Sequence, residues 1–287
     1  MPTLDELIQK RIAKAEQASK DTALLVRALQ AAGYMAVYEW VTGNLETENG
    51  NLKNTAANLG KVAGLYRTFG AWQEKYQGTV LGRVLDWTGK IIGANDDYFG
   101  EFDELPETLA DKARRLTLQR WGWDGKKLIP GGYFESLFSN RETAQRVARV
   151  VNQAIIRKMP LSAFQMAFKN IFVGANGTGM LERHWRTNSF DLYQRLDRTA
   201  NLLYADELGL NWAIYSGTLE EDSRPFCIAR VNLVYNREQI AAWEKLEFAG
   251  KPKYSYDPFT DLGGHNCRHH LSFISEGVAK MLKQKQK

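Results

Sequence analysis

Apolar residues recur with a helical period along most of this chain, and the breaks in that rhythm fall at glycine, proline and asparagine. Near the start, Leu4, Ile8, Ala15, Ala18, Thr22, Leu25 and Leu29 keep roughly heptad spacing, broken by Arg11. Thr3 and Glu6 form a capping box ahead of them, hydroxyl and carboxylate each satisfying a backbone amide that the first helical turn leaves free. The pattern predicts an amphipathic helix interrupted at Gly33, its apolar stripe buried against a neighbour in the same chain or offered to another chain. Residues 43–58 are polar and rich in asparagine, the chemistry of a linker that would let this helix swing away.

Helical stretches punctuated by glycine follow over about 59–74 and 79–92, then a helix over about 107–121 that ends in Trp121-Gly122-Trp123-Asp124-Gly125. Ile129-Pro130-Gly131-Gly132 marks another break. Beyond it Ser139 and Glu142 repeat the capping box, and Ala144, Val147, Ala148, Val151, Ala154 and Ile155 keep a period of 3.6 as far as Met159-Pro160. Ser162 and Gln165 open the next helix, with Leu161 placed to staple onto Met166. Gly174 to Gly179 reads as a flexible loop, since no strand precedes it and its spacing is wrong for a phosphate cradle. A long helix over about 180–208 follows, with Leu181, Trp185, Leu192, Leu196, Thr199 and Leu203 on one face and Gly209 as its C-terminal cap.

After Gly209 the period changes. Asn211 to Ser216 alternates and is rich in strand formers, which predicts a strand. Asn236 caps a helix over about 237–248, a loop-rich stretch runs through Gly263-Gly264, and a last helix starts near Ser275. The expected class is α+β and mostly helical: a helical N-terminal region (1–130), a helical connector (131–209) and a small, loop-rich α+β domain (210–287).

Composition narrows the picture modestly. With 44% hydrophobic and 25% charged residues the chain can build ordinary cores, and no window is apolar enough to span a bilayer. The acidic start does not read as a secretory signal, and two cysteines in 287 residues give no disulfide framework, which favours a reducing compartment. The net charge of +5 is spread among acids, so it permits contact with nucleic acid without arguing for it. Only the tail, with Lys280, Lys283, Lys285 and Lys287, is one-signed.

The chemistry concentrates near the C-terminus. Both cysteines and three of the four histidines lie between Arg224 and His270. Cys227, His265, Cys267 and either His269 or His270 offer two sulfurs and two nitrogens, a donor set for a closed tetrahedral zinc site. The same residues equally suit a reduced hydrogen-bonded cluster or a Cys227–Cys267 disulfide. All three require the two segments to meet in space, with Arg224 paired to Glu220 or Asp222. His184 reads as a solvent-side residue of the long helix. A nuclease reading, with His265-Asn266 and His269, or a nucleophilic Cys267, lacks an obvious orienting carboxylate, although Asp257 and Asp261 are near in sequence.

The run from Tyr215 to Glu220, then Arg224-Pro225-Phe226-Cys227, then Gly264-His265-Asn266-Cys267-Arg268, resembles the signature of the phage Mu gpF-like minor head proteins, the head morphogenesis proteins of tailed phages. In that signature an acid precedes an arginine by four, a Cys or His lies three beyond, and a His/Pro-Asn-Cys-Arg segment follows some tens of residues later. Glu220, Ser223, Arg224 and Cys227 take the first positions, Asn266 and Arg268 belong to the second half, and Arg186-Thr187 resembles the pair that often precedes it. Two departures stand out: His269 where a second Cys is common, and Glu220 where Asp is usual. The resemblance covers about 186–270 and implies a non-enzymatic virion component inside the capsid, assembled in the bacterial cytoplasm. It would bind the portal protein and the major capsid or scaffold protein in head assembly, with DNA as a further contact during packaging or delivery and no membrane.

Overall fold

The computed structural model describes residues 3–138, 141–174, 180–253 and 255–285, without the side chains of 141–144, 180–184, 186–190 and 285. The protein is mostly helical α+β, as its periodicity predicts. The elements are α1 (Leu4–Asn44), β1 (Thr47–Glu48), β2 (Asn51–Leu52), α2 (Ala56–Gly100), α3 (Leu109–Trp121), α4 (Tyr133–Phe138), α5 (Arg141–Ile156), α6 (Leu161–Phe172) and α7 (Met180–Glu207). Then come β3 (Trp212–Ser216), α8 (Pro225–Ile228), β4 (Val234–Asn236), α9 (Arg237–Ala241) with a 3-10 turn (Ala242–Lys245), β5 (His270–Ile274) and α10 (Glu276–Lys285).

The chain packs as two compact units, each drawn from separated stretches rather than from three consecutive regions. The first comprises Met1–Lys20, Leu85–Glu135 and Thr187–Lys287, and the second comprises Asp21–Val84 and Ser136–Arg186. The reason lies in the helices: α1, α2 and α7 each contribute residues to both units, so boundaries fall within helices and leave no mark in the composition.

In the second unit, α1 does not break at Gly33. A Cβ there would come within 2.5 Å of Trp72, whose indole nitrogen donates to the Leu29 carbonyl at 3.1 Å, so the glycine marks a close helix–helix approach. Likewise α2 runs unbroken through the glycines expected to punctuate it. Phe164, Phe168 and Phe172 of α6 are buried, and Phe172 meets Trp72 edge to face at 5.8 Å. The presumed linker is a hairpin. Asn49 and Gly50 take the paired left-handed conformations (φ 50° and 76°) of a two-residue turn, Leu52 is buried, and the Asn58 side chain bonds Glu46 and Lys53. Leu52 and Gly50 also bond across to Met159 and Leu161. These ties anchor the segment within its unit. Helix α6 begins at Leu161 with no side-chain cap, and Met166 is 65% exposed, so the expected staple does not form. The Ser139–Glu142 box, residues 175–179 and the Leu181 side chain lie outside the described residues.

In the first unit, β3 is the centre of an antiparallel sheet of order β4-β3-β5. Ser216 pairs with His270 and Trp212 with Ile274, and all five residues of β5 are buried. One core gathers Leu7, Ile8 and Ile12 of α1 with Tyr98 and Phe99 of α2, Tyr204 of α7, and Tyr215, Leu271 and Phe273 of the sheet. A smaller cluster packs Ala279 of α10 against Val234 and Ile274. The N-terminal stripe is therefore consumed inside the protein: Ile8, Ala15, Ala18 and Thr22 are buried, and Leu4, Leu25 and Leu29 are half-buried. The helix expected over 237–248 is α9 and one 3-10 turn, opened by a capping box between Asn236 and Gln239.

Candidate functional site

Two elements of the first unit present the sulfurs. Pro225 starts the single turn of α8, where a missing backbone N–H costs nothing, and that turn carries Cys227 inward. Cys267 comes from the loop that leads into β5. In that loop Leu262, Gly264 and Asn266 all have positive φ (49°, 83° and 56°), which coils residues 262–266 tightly. Gly263 lies against the cluster: a Cβ there would be 2.5 Å from Cys227 Sγ and 3.0 Å from Cys267 Sγ. The sulfurs sit 3.9 Å apart as free, buried thiols. His269 Nδ1 is 3.8 Å from Cys267 Sγ, and the Tyr215 hydroxyl donates to Cys227 Sγ at 3.3 Å while lying 3.7 Å from Cys267 Sγ. The rings of Tyr215 and His269 stack at 5.1 Å.

The hydrogen bond to Cys267 and burial raise the Cys227 thiol well above its ordinary value. The same contact lowers the Cys267 thiol well below its ordinary value; burial opposes the shift, and His269 and the Arg198 guanidinium reinforce it. Burial, with the sulfurs beside it, raises the Tyr215 phenol.

Two arginines clamp the second half of the motif. Buried Arg198 of α7 donates to the carbonyls of His269 (3.0 Å), Thr260 (3.0 Å) and Cys267 (2.5 Å). Arg224 donates to the carbonyls of Gly263 (3.2 Å) and His265 (2.7 Å). The expected carboxylate partner of Arg224 is thus replaced by backbone, because its guanidinium reaches the loop across the α8 turn. Glu220 pairs instead with Arg268 at 2.9 Å, both half-exposed, and Asp222 is an exposed residue of the turn.

The histidines divide. Among the described residues only His269 joins the sulfurs, giving the buried group Cys227, Cys267 and His269 with donor atoms mutually within 4.8 Å. His265 does not join: it is 63% exposed and faces the buried Asp191 of α7 at 2.9 Å, whose other oxygen accepts from the Asn266 backbone at 2.7 Å. His270 turns into a different buried network, its Nδ1 2.6 Å from Asp197. Asp197 also accepts from Arg11 (2.8 Å) and Asn95 (3.1 Å), and Arg11 reaches the Ser272 hydroxyl at 3.0 Å. Arg11, Arg198 and Asp197 held no place in the sequence reading as site residues. One signal was available: Asp191, Arg195 and Arg198 recur at helical spacing, and all three meet the 257–269 segment. The side chains of His184, Arg186 and Thr187 lie outside the described residues.

No family model, curated protein or solved structure matches the chain.

Proposed function

We propose that this chain is a minor head protein of a tailed phage, held near the portal on the inner face of the capsid, where it acts in head assembly by binding and not by catalysis. The observation that supports the reading is the meeting of the two motif halves, 40 positions apart, in one buried cluster. The order of residue types in the motif then has a physical purpose: thiols and an imidazole fill the interior, and arginines on both sides hold the loop. Burial of Cys227, Cys267 and His269 suits a cluster that shapes a surface, since a substrate would have no way in.

The partners on this reading are the portal protein and the shell or scaffold protein. The first helix is a poor candidate for the docking surface, because its stripe is already covered and Arg11 is locked in the interior. DNA contact through the basic tail also has less to draw on: Lys280 pairs with Glu276, and Lys283 lies 4.0 Å over the ring of Trp212. Co-expression of the full chain with the portal and capsid proteins of its own phage tests the proposal. Copurification with portal, and defective heads when the chain is left out, are expected; normal heads formed without it would overturn the reading.

A second reading, a metal-dependent nuclease or other phage-encoded effector, draws on His265. Its Nδ1 lies 2.9 Å from the buried carboxylate of Asp191 and the side chain is largely exposed, which sets an accessible imidazole beside a carboxylate. Turnover of nucleic acid by the purified protein with divalent metals, lost in His265→Ala, would establish it in place of the first.

A further inference from the structure

We infer that Cys227, Cys267 and His269 form a structural zinc site. The inference is independent of the phage reading, since it rests only on donors, distances and enclosure. A tetrahedral zinc ion, with Zn–S near 2.3 Å and Zn–N near 2.0–2.1 Å, places two sulfur ligands about 3.8 Å apart and a sulfur and a nitrogen about 3.6 Å apart. The sulfurs here are 3.9 Å apart, and His269 Nδ1 is 3.8 Å from Cys267 Sγ. Two of the three donor separations match the ion's, and all three donor atoms lie within 4.8 Å of one another. A disulfide would require the sulfurs to close to about 2.0 Å.

The donor type selects the metal. Two thiolates and an imidazole suit zinc and disfavour magnesium or calcium, which prefer oxygen. Both sulfurs bind as thiolates, releasing their protons to solvent, and their two negative charges cancel that of the ion. A neutral centre is one that a buried pocket tolerates.

The surroundings look like the supporting shell of such a site. Arg198 fixes the carbonyls of both Cys267 and His269, so two of the three ligands hang from a clamped backbone. Gly263 permits the 262–266 coil to come close to both sulfurs, where any Cβ would displace them. The Tyr215 hydroxyl closes the remaining side, hydrogen-bonded to sulfur. The three protein donors leave the fourth position of the tetrahedron to a water beside the Tyr215 hydroxyl, and with every protein donor buried the role of the site is to join α8 to the loop before β5.

The test uses the full-length chain purified under reducing conditions without chelator. Elemental analysis should find about one zinc per chain, and less than roughly a tenth of that in Cys267→Ser and His269→Ala. His265→Ala should keep the full complement, because that residue faces Asp191. Should the Cys267 or His269 variant fail to fold, cobalt substitution of the unaltered chain decides instead. A thiolate-to-cobalt charge-transfer band with the visible bands of a tetrahedral ion is expected. A metal-free chain with two titratable thiols and no such cobalt spectrum would overturn the proposal, and so would two thiols detectable only after reduction.

Discussion

His269 and His270 are consecutive residues, yet they enter two buried clusters of opposite character. His269 joins soft, polarisable donors that come from two segments of the last quarter of the chain. His270 joins Arg11, Asn95 and Asp197, a charged network whose members are up to 259 positions from it and come from α1, α2, α7 and β5. His269 is the last residue of the loop before β5 and His270 the first of the strand, so the boundary between loop and strand separates the two roles. The difference teaches a division of labour: the sulfur cluster shapes one local loop, while the charged network binds the first helix to the sheet. Damage to the first should stay local, and damage to the second should be felt across the whole unit.

The largest effect should follow Asp197→Ala. It leaves the fully buried Arg11 guanidinium without its counter-charge, a loss of about 3–5 kcal/mol for a broken interior pair. Urea unfolding measures it, and a loss near zero would mean that the network contributes nothing.

Acid should act through the same cluster. Burial lowers His270 from 6.5 to about 4, although Asp197 opposes the shift. Asp197 is also lowered: burial opposes this, and Arg11 and then His270 outweigh it. Between pH 6.5 and about 4 the unfolded chain takes up a proton on His270 that the folded chain refuses. Stability from this residue is therefore fully present above pH 6.5 and declines by roughly 3 kcal/mol as pH falls to 4. Asp197 adds a further decline below about pH 4, as its carboxylate is protonated in the unfolded chain and then in the folded one. Unfolding midpoints across pH 4–7 check the first window, and His270→Asn should flatten it.

A smaller and local effect belongs to the loop. Arg224→Met removes two bonds to the carbonyls of Gly263 and His265, one of them at the surface, for about 1–2 kcal/mol. Hydrogen exchange should quicken in residues 263–267 and stay unchanged in α1. The smallest change is expected of Glu220→Gln. Its pair with Arg268 is half-exposed on both sides, so stability should move by less than about 1 kcal/mol.

The contrast between the clusters also explains what could be read from the sequence. Cysteine and histidine are scarce here, and their crowding into one stretch pointed to Cys227, His265, Cys267, His269 and His270 together. Which histidine faces the sulfurs was not legible, because it depends on where β5 begins. Arg11 registered only as a break in an apolar stripe; its partner Asp197 lies 186 positions away, and charged residues are too common to reveal such a pairing. The helical periods of α3, α5 and α7 were plain, as was the strand β3. The hairpin at Asn49-Gly50 was legible in principle from its turn residues, but strands of two residues carry no period. Gly33 read as a break from its low helix propensity, whereas it marks the close approach of Trp72 to α1.

The most direct test is metal content and unfolding stability measured together on His269→Ala and His270→Asn, beside the unaltered chain. The account predicts that His269→Ala loses its zinc while α1 keeps its protection from exchange. His270→Asn should keep about one zinc per chain and lose its acid sensitivity between pH 4 and 6.5. A folded His270→Asn protein without zinc, or a His269→Ala protein that retains it, would contradict the separation of the two clusters.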